Sequence, residues 1–192
     1  MTETLIGLKN QNIDPSNIEV FFQDEMRYGL ISNYRRSWSE IGKRTELKNQ
    51  QAFTNRYLYS SVAPRTGKSF HLLSFGDMNG LTMKTYLEEL KKTFPEKHII
   101  LVWDNAPSHK LKSFEKIQNL TIVRLPSYSP QLNPAERFFG EVRKGTANQI
   151  FETIDAQERA ITEKIVEYAD DTNKMKTLTG YEWIREQWER VF

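Results

Sequence analysis

The spacing of apolar positions changes character twice along the chain, from short extended runs to alternating strand and helix to amphipathic helix. In "IEVFFQDE", residues 18–25, the apolar Ile18, Val20, Phe21 and Phe22 are followed by acids, which predicts a strand ending at Asp24 and Glu25. A second extended stretch is predicted at residues 28–32, and "RSWSEIGKRTEL" reads as a turn around Gly42. "NRYLYSSVAP" is rich in aromatic and β-branched residues and is broken by "PRTGK", after which "SFHLLSFG" supplies another strand. These segments predict consecutive antiparallel strands joined by short loops.

After "GDMNG" the apolar residues Met83, Tyr86 or Leu87, Leu90 and Phe94 recur at helical spacing until Pro95, which predicts a helix of about four turns. "HIILVW" follows with residues 99–102 unbroken by a polar side chain, as in a central strand covered on both faces. A short basic helix in "SHKLKSFEKIQN" and a strand in "LTIVRLP" complete a strand-helix-strand-helix-strand order, which implies parallel strands attached to the antiparallel set. The last third is helical. Asn133 caps a helix with Pro134 at its first position, and Asp155 with Glu158 marks a second helix bearing Ile161, Ile165 and Tyr168. Ile184, Trp188 and Val191 form a final apolar stripe, for which packing on the sheet is expected. With no repeat and no linker, the chain reads as one domain, its core at about 18–145 and C-terminal helices at about 153–192.

Composition narrows the chemistry. At 192 residues and 38% hydrophobic, the chain can bury one sizeable core. No window is apolar enough for a membrane span and no signal-peptide pattern opens the sequence, so a soluble, cytoplasmic protein without membrane partners is expected. Without cysteine there is no thiolate nucleophile and no cysteine-type zinc site, which leaves oxygen ligands or His71, His98 and His109 for any metal. The net charge of +2 is mild, but Arg35 with Arg36, Lys43 with Arg44, Lys110 with Lys112, and Arg143 with Lys144 form local basic clusters. Each is either solvated surface or a contact for phosphate.

Three acids fall where elements end or begin: Asp24 after the first strand, Asp104 after the central parallel strand, and Glu136 in the first turn of the helix behind Asn133. Strand ends of an α/β sheet open into a crevice, and three carboxylates gathered there repel one another unless protonated or bridged by cations. Magnesium is the economical cation, because it prefers oxygen and can be held as a pair about 4 Å apart across a phosphodiester. Each acid also has a plainer role. Glu136 stands where a glutamate closes a capping box, Asp24 can begin a turn, and Glu25 competes with Asp24 for the first ligand position.

The segments "QDE" at 23–25, "VWDNAPSH" at 102–109 and "LPSYSPQLNPAERFFGEVRK" at 125–144 closely resemble the catalytic core of DDE transposases of the Tc/mariner superfamily, in particular their bacterial insertion-sequence branch. Thirty-one residues lie between Asp104 and Glu136, close to the spacing usual in that superfamily. The resemblance implies a ribonuclease-H-like fold, an α/β mixed sheet of three antiparallel plus two parallel strands flanked by helices. It carries the catalytic, metal-binding triad over to Asp24, Asp104 and Glu136 with Mg2+ or Mn2+, two ions, as cofactor. Implied with it are DNA hydrolysis at transposon ends, strand transfer of a 3′ hydroxyl into target DNA, commonly at TA sites, a homodimer or larger working complex, and residence at the bacterial nucleoid.

Around that triad Glu25, Asn105 and His109 are expected as supporting residues, Asn105 to orient the loop or a phosphate. Arg35, Arg36, Lys43, Arg44, Lys110, Lys112, Arg137, Arg143 and Lys144 are candidates for DNA contact. Tyr128, Ser129 and Pro130 shape the turn that aims Glu136. Trp38 with Gly42 is similar to a strand-turn feature of the family and is expected in the core. About 17 residues precede the first strand, too few for the helix-turn-helix region by which full-length relatives recognise their ends, so a domain without that region is expected. A ribonuclease-H-like nuclease of another substrate and a non-catalytic DNA-binding remnant of a transposase stand as alternatives. A paired-carboxylate glycosidase ranks last, because the bases near these acids point to phosphate.

Overall fold

The computed structural model describes residues 1–43, 46–74, 79–106 and 117–192. Five strands form one sheet in the order β3-β2-β1-β4-β5. β1 (Ile18–Ile31), β2 (Gln51–Val62) and β3 (Ser69–Ser74) make an antiparallel meander, and β4 (His98–Trp103) and β5 (Leu120–Arg124) run parallel to β1. This is the predicted three-plus-two mixed sheet.

The apolar run of β4 has partners on both sides, as its sequence requires. Ile100 and Val102 join Val20 and Phe22 in one buried cluster, whereas Ile99, Leu101 and Trp103 join Phe21 and Tyr59 in another. The second cluster is covered by α2 (Gly80–Thr93), which buries Met83, Tyr86, Leu87 and Leu90 and starts where Asn79 Oδ1 accepts from the amides of Leu81 and Thr82 at 2.9 and 3.0 Å. The first cluster lies under α1 (Thr2–Asn10), α3 (Ala135–Gly145), α4 (Ile154–Ala169), α5 (Thr172–Thr179) and α6 (Glu182–Glu189). α3 turns Ala135, Phe138, Phe139 and Val142 inward at i, i+3, i+4 and i+7. Truncating either phenylalanine to alanine costs about 3–5 kcal/mol at such a site.

Four features depart from the sequence reading. β1 is one strand of 14 residues rather than two segments, because Met26 and Tyr28 resume the inward alternation after the acids. Trp38, expected in the core, is fully exposed, as is Ile41. Both lie in the 32–50 loop, which leaves the sheet beyond the last β1-β2 pair and turns at Gly42, whose φ of +84° suits glycine. α4 is capped by Thr153, whose side chain accepts from the Ala156 amide at 3.1 Å, so Asp155 lies inside the first turn instead of marking the start. α1 has no counterpart in the sequence reading; it buries Leu5 and Leu8, and Thr2 Oγ1 donates to Gln187 of α6 at 3.2 Å. The expected packing of the last segment is present, with Trp183 standing edge-on to Phe22 at 5.8 Å. The basic helix predicted in "SHKLKSFEKIQN" falls mostly outside the described residues.

Candidate active site

β1 and β4 stop pairing at Phe22 and Val102, two residues short of Asp24 and Asp104 alike. The sheet splits there, β4 ending at Trp103 while β1 continues against β2 alone. Val20, Phe22, Ile100 and Val102 share one face, and alternation carries Asp24 to that face too. Asp104 leaves its strand in an Asx-type turn, its Oδ1 accepting from the Ala106 amide at 2.8 Å. Asp24 Oδ1 accepts from the Glu25 amide at 2.8 Å, and its Oδ2 receives Asn133 Nδ2 at 3.3 Å.

Glu136 arrives by a series of tight turns from β5. Leu125 still bonds back to Trp103 at 2.8 Å, Tyr128 then reverses the chain with φ +58°, and a single 3-10 turn at Pro130–Leu132 leads into α3. Asn133 Oδ1 accepts from the Ala135 amide at 3.1 Å and so serves as the helix cap, although the regular helix begins two residues later. Its own backbone amide donates to Pro130 at 2.9 Å, so Glu136 does not close a capping box with it. The Glu136 carboxylate instead receives Arg143 Nη1 at 3.4 Å. Asp24, Asp104 and Glu136, with Asn105 and Asn133, line one open cavity of about 420 Å³ walled by residues 125–130.

Burial pushes the Asp24 carboxyl up to about 7, and the neighbouring Glu25, Glu136 and Asp104 push in the same direction against the pull of the Glu25 amide. A carboxyl so disposed holds its proton near neutrality until a cation offsets the repulsion. The donor set is all carboxylate at this cavity, which fits a hard divalent ion. Among the described residues no three acid or imidazole groups already stand close enough to hold one, in keeping with the turn of Glu136 toward Arg143.

The remaining candidates divide. Asn105 lines the cavity and clips the tip of β4 to β5, donating to the Leu125 carbonyl at 2.9 Å and accepting from Arg124 at 3.5 Å. Glu25 follows Asp24 on β1, so alternation sets it on the opposite face, and it is not among the residues that line the cavity, although its charge is felt by Asp24 as well as by Tyr59 and Tyr86. Arg137 is not presented to the cavity; it stacks on Tyr181 at 4.0 Å and donates to Leu178 at 3.1 Å. Lys144 pairs with Glu141 and Lys43 with Glu40. Arg35 and Arg36 are exposed on the 32–50 loop, away from the cavity lining. Arg44, His109, Lys110 and Lys112 lie outside the described residues. His71 is half-buried and packs on Phe138, its Nδ1 lies 2.9 Å from the Ser60 hydroxyl, its imidazole is pushed down to about 3 by desolvation, and His98 bonds Thr121 at 2.8 Å; neither lines the cavity. The sequence reading missed the bond from Asn133 to Asp24 and the Arg143–Glu136 pair. Only the second has a local signal, the seven-residue spacing of Glu136 and Arg143 on one helix; the first joins residues 109 positions apart.

Residues 19–158 match the DDE superfamily endonuclease family. The chain belongs to it. This DDE endonuclease is also 31% identical over 102 residues to an uncharacterised protein, y4pE/y4sA, of Sinorhizobium fredii, covering 52% of the present chain and 74% of the relative. Among solved structures, the Mos1 strand transfer complex superposes with a TM-score of 0.69 at 17% identity and the mariner Mos1 paired-end complex with Mn at 0.67 and 18%, over 99% and 98% of this chain. At such identities the likeness is one of fold, and it gives the mixed sheet its ribonuclease-H-like character. The DDE endonuclease spans about 58% of the length of those Mos1 chains.

Proposed function

We propose that this DDE endonuclease is the catalytic domain of a transposase, which hydrolyses phosphodiesters at transposon ends and joins the freed 3′ hydroxyl to target DNA. Asp24, Asp104 and Glu136 are its catalytic carboxylates and its ligands for divalent metal. The observation that carries the reading is the convergence of these three acids, from β1, the tip of β4 and α3, on one open cavity in which burial and the other acids raise Asp24 to about 7. Like charges so placed, in a chain of this family, suit a cationic ligand and a phosphate substrate.

Two Mg2+ or Mn2+ ions bound there would supply Lewis acidity to the phosphoryl group and lower the pKa of the attacking water or hydroxyl. Solved Mos1 relatives were obtained with Mn, with Mg and with a left transposon end, which supports the same cofactor and partner here. The chain's own part is rigid placement. β1 and β4 fix Asp24 and Asp104 at a common register, Glu136 enters the same cavity from α3, and Arg143 beside it is placed to meet a DNA phosphate. Arg35, Arg36 and Lys43 extend the basic track along the 32–50 loop, and the fully exposed ring of Tyr128 at the cavity rim offers a stacking face for a base. The working unit is a homodimer or larger, since two ends are joined; insertion at TA sites and residence at the nucleoid belong to the same reading.

The test is a Mg2+ and Mn2+ titration of wild type and Asp104→Asn, read by calorimetry and by nicking of supercoiled DNA. Saturable binding and nicking that both disappear in the variant are expected. Full nicking by Asp104→Asn sinks the reading, and stronger cleavage of an RNA/DNA hybrid than of duplex DNA reassigns the substrate.

A further inference from the structure

We propose that Asn133 is a positioning residue that locks Asp24 and the start of the Glu136 helix into one unit, so that the divalent-ion affinity of the cavity depends on its side-chain amide. The inference rests on the reading of the three acids as metal ligands.

Asn133 is 2% exposed, and every polar group it owns has a protein partner. Its backbone amide donates to Pro130 at 2.9 Å and its carbonyl accepts from Glu136 at 3.2 Å. The side chain divides its work between two elements. Oδ1 accepts from the Ala135 amide at 3.1 Å, which is the helix cap, while Nδ2 donates to the Gln23 carbonyl at 2.9 Å and to Asp24 Oδ2 at 3.3 Å. A cap requires only the oxygen. The two bonds aimed at β1 are surplus to capping, and they land just past the last β1-β4 pair, where β4 no longer supports the chain.

The amide orientation is fixed by the same bonds, because a flipped amide would set Oδ1 against the Gln23 carbonyl and the Asp24 carboxylate. One buried side chain therefore sets the first carboxylate relative to the helix that bears the third, across 109 positions of sequence between Asp24 and Asn133.

Asn133→Ser separates the two jobs, since a serine hydroxyl caps a helix but is too short to reach β1. Calorimetric Mn2+ titration and metal-free melting are measured for wild type, Asn133→Ser and Asn133→Ala, with Asn133→Thr as a second short cap should the serine variant not fold. The short-cap variant is expected to melt within a few degrees of wild type yet bind Mn2+ at least tenfold more weakly. The Mn2+ concentration for half-maximal nicking should rise in step, while the rate at saturating Mn2+ falls less. Asn133→Ala loses stability as well as affinity. A folded short-cap variant that binds Mn2+ within threefold of wild type overturns the positioning role and leaves Asn133 a cap. A wild-type protein that binds no Mn2+ and does not nick DNA overturns the reading of the cavity itself, and this inference with it.

Discussion

Two acid clusters sit on the same face of β1, two alternations apart, and they are built to opposite ends. Around Tyr28, Arg56 Nη1 lies 2.6 Å from Glu158 and 2.8 Å from Asp155, and the Tyr28 hydroxyl donates to Glu158 at 2.6 Å. The guanidinium, its side chain 15% exposed, closes that cluster electrically and braces β1 and β2 against α4. Around Asp24 no guanidinium takes the central place among the described residues. Its donors are two amides and its charged neighbours are acids. On the reading proposed above, the same residue types make a brace where the cation is built in and a receptor where it must come from outside.

The sharpest way to break this comparison is Asp24→Asn. Mg2+-dependent nicking should fall by about a thousandfold or more, roughly 4 kcal/mol of transition-state stabilisation, yet the metal-free protein should gain stability at pH 8. The sign follows from the direction of the shift. Asp24 titrates at about 7 when folded, above its ordinary 3.8, so its proton favours the folded state, fully below about pH 4 and progressively less as pH rises through 7. Asparagine imitates the protonated acid and removes a penalty of at most about 4 kcal/mol at pH 8. Melting curves in EDTA at pH 4 and pH 8 check it, and a lower melting temperature for the variant at pH 8 would count against the receptor reading.

Mn2+ at about a hundred times its dissociation constant should stabilise wild type by about 2.7 kcal/mol at pH 8, seen as a rise in melting temperature that is lost in Asp24→Asn. Glu158→Gln acts on the brace instead. It weakens two charge-assisted bonds at a cost of about 2 kcal/mol, which lowers the melting temperature by several degrees and leaves Mn2+ affinity unchanged. The smallest effect belongs to Arg143→Ala. The Arg143–Glu136 pair is about 40% exposed at both ends, so its loss costs under about 1 kcal/mol. Calorimetry should then find Mn2+ affinity equal or a few-fold higher, because Glu136 is released; a tenfold loss would make Arg143 part of the site's support.

Local periodicity made much of the fold legible. The unbroken run of β4 and the four inward positions of α2 each follow from spacing alone. What lay hidden depended on what else comes near. Gln23, Asp24 and Glu25 mask the continuation of β1, and α1 owes its burial partly to α6 at the far end of the chain. Hydrophobicity could not say that Trp38 would stand exposed. At the site, the three acids were legible as element ends and as a family pattern. The choice of Asp24 over Glu25 came from the family pattern, and alternation along β1 sets Asp24 on the face of Val20 and Phe22. The hold of Asn133 on Asp24 could not be read locally, because it joins distant parts of the chain.

The exposed indole of Trp38 also gives the molecule an optical handle. The chain has four tryptophans; Trp103 is fully buried, and Trp183 and Trp188 are partly packed into the core. Trp38, the most exposed of the four and a residue of the 32–50 loop, therefore supplies the largest share of the red-shifted, collisionally quenchable emission. Any molecule that settles on that loop will shift its emission to the blue and shield it from acrylamide, so contact there can be timed in the native protein with no label attached.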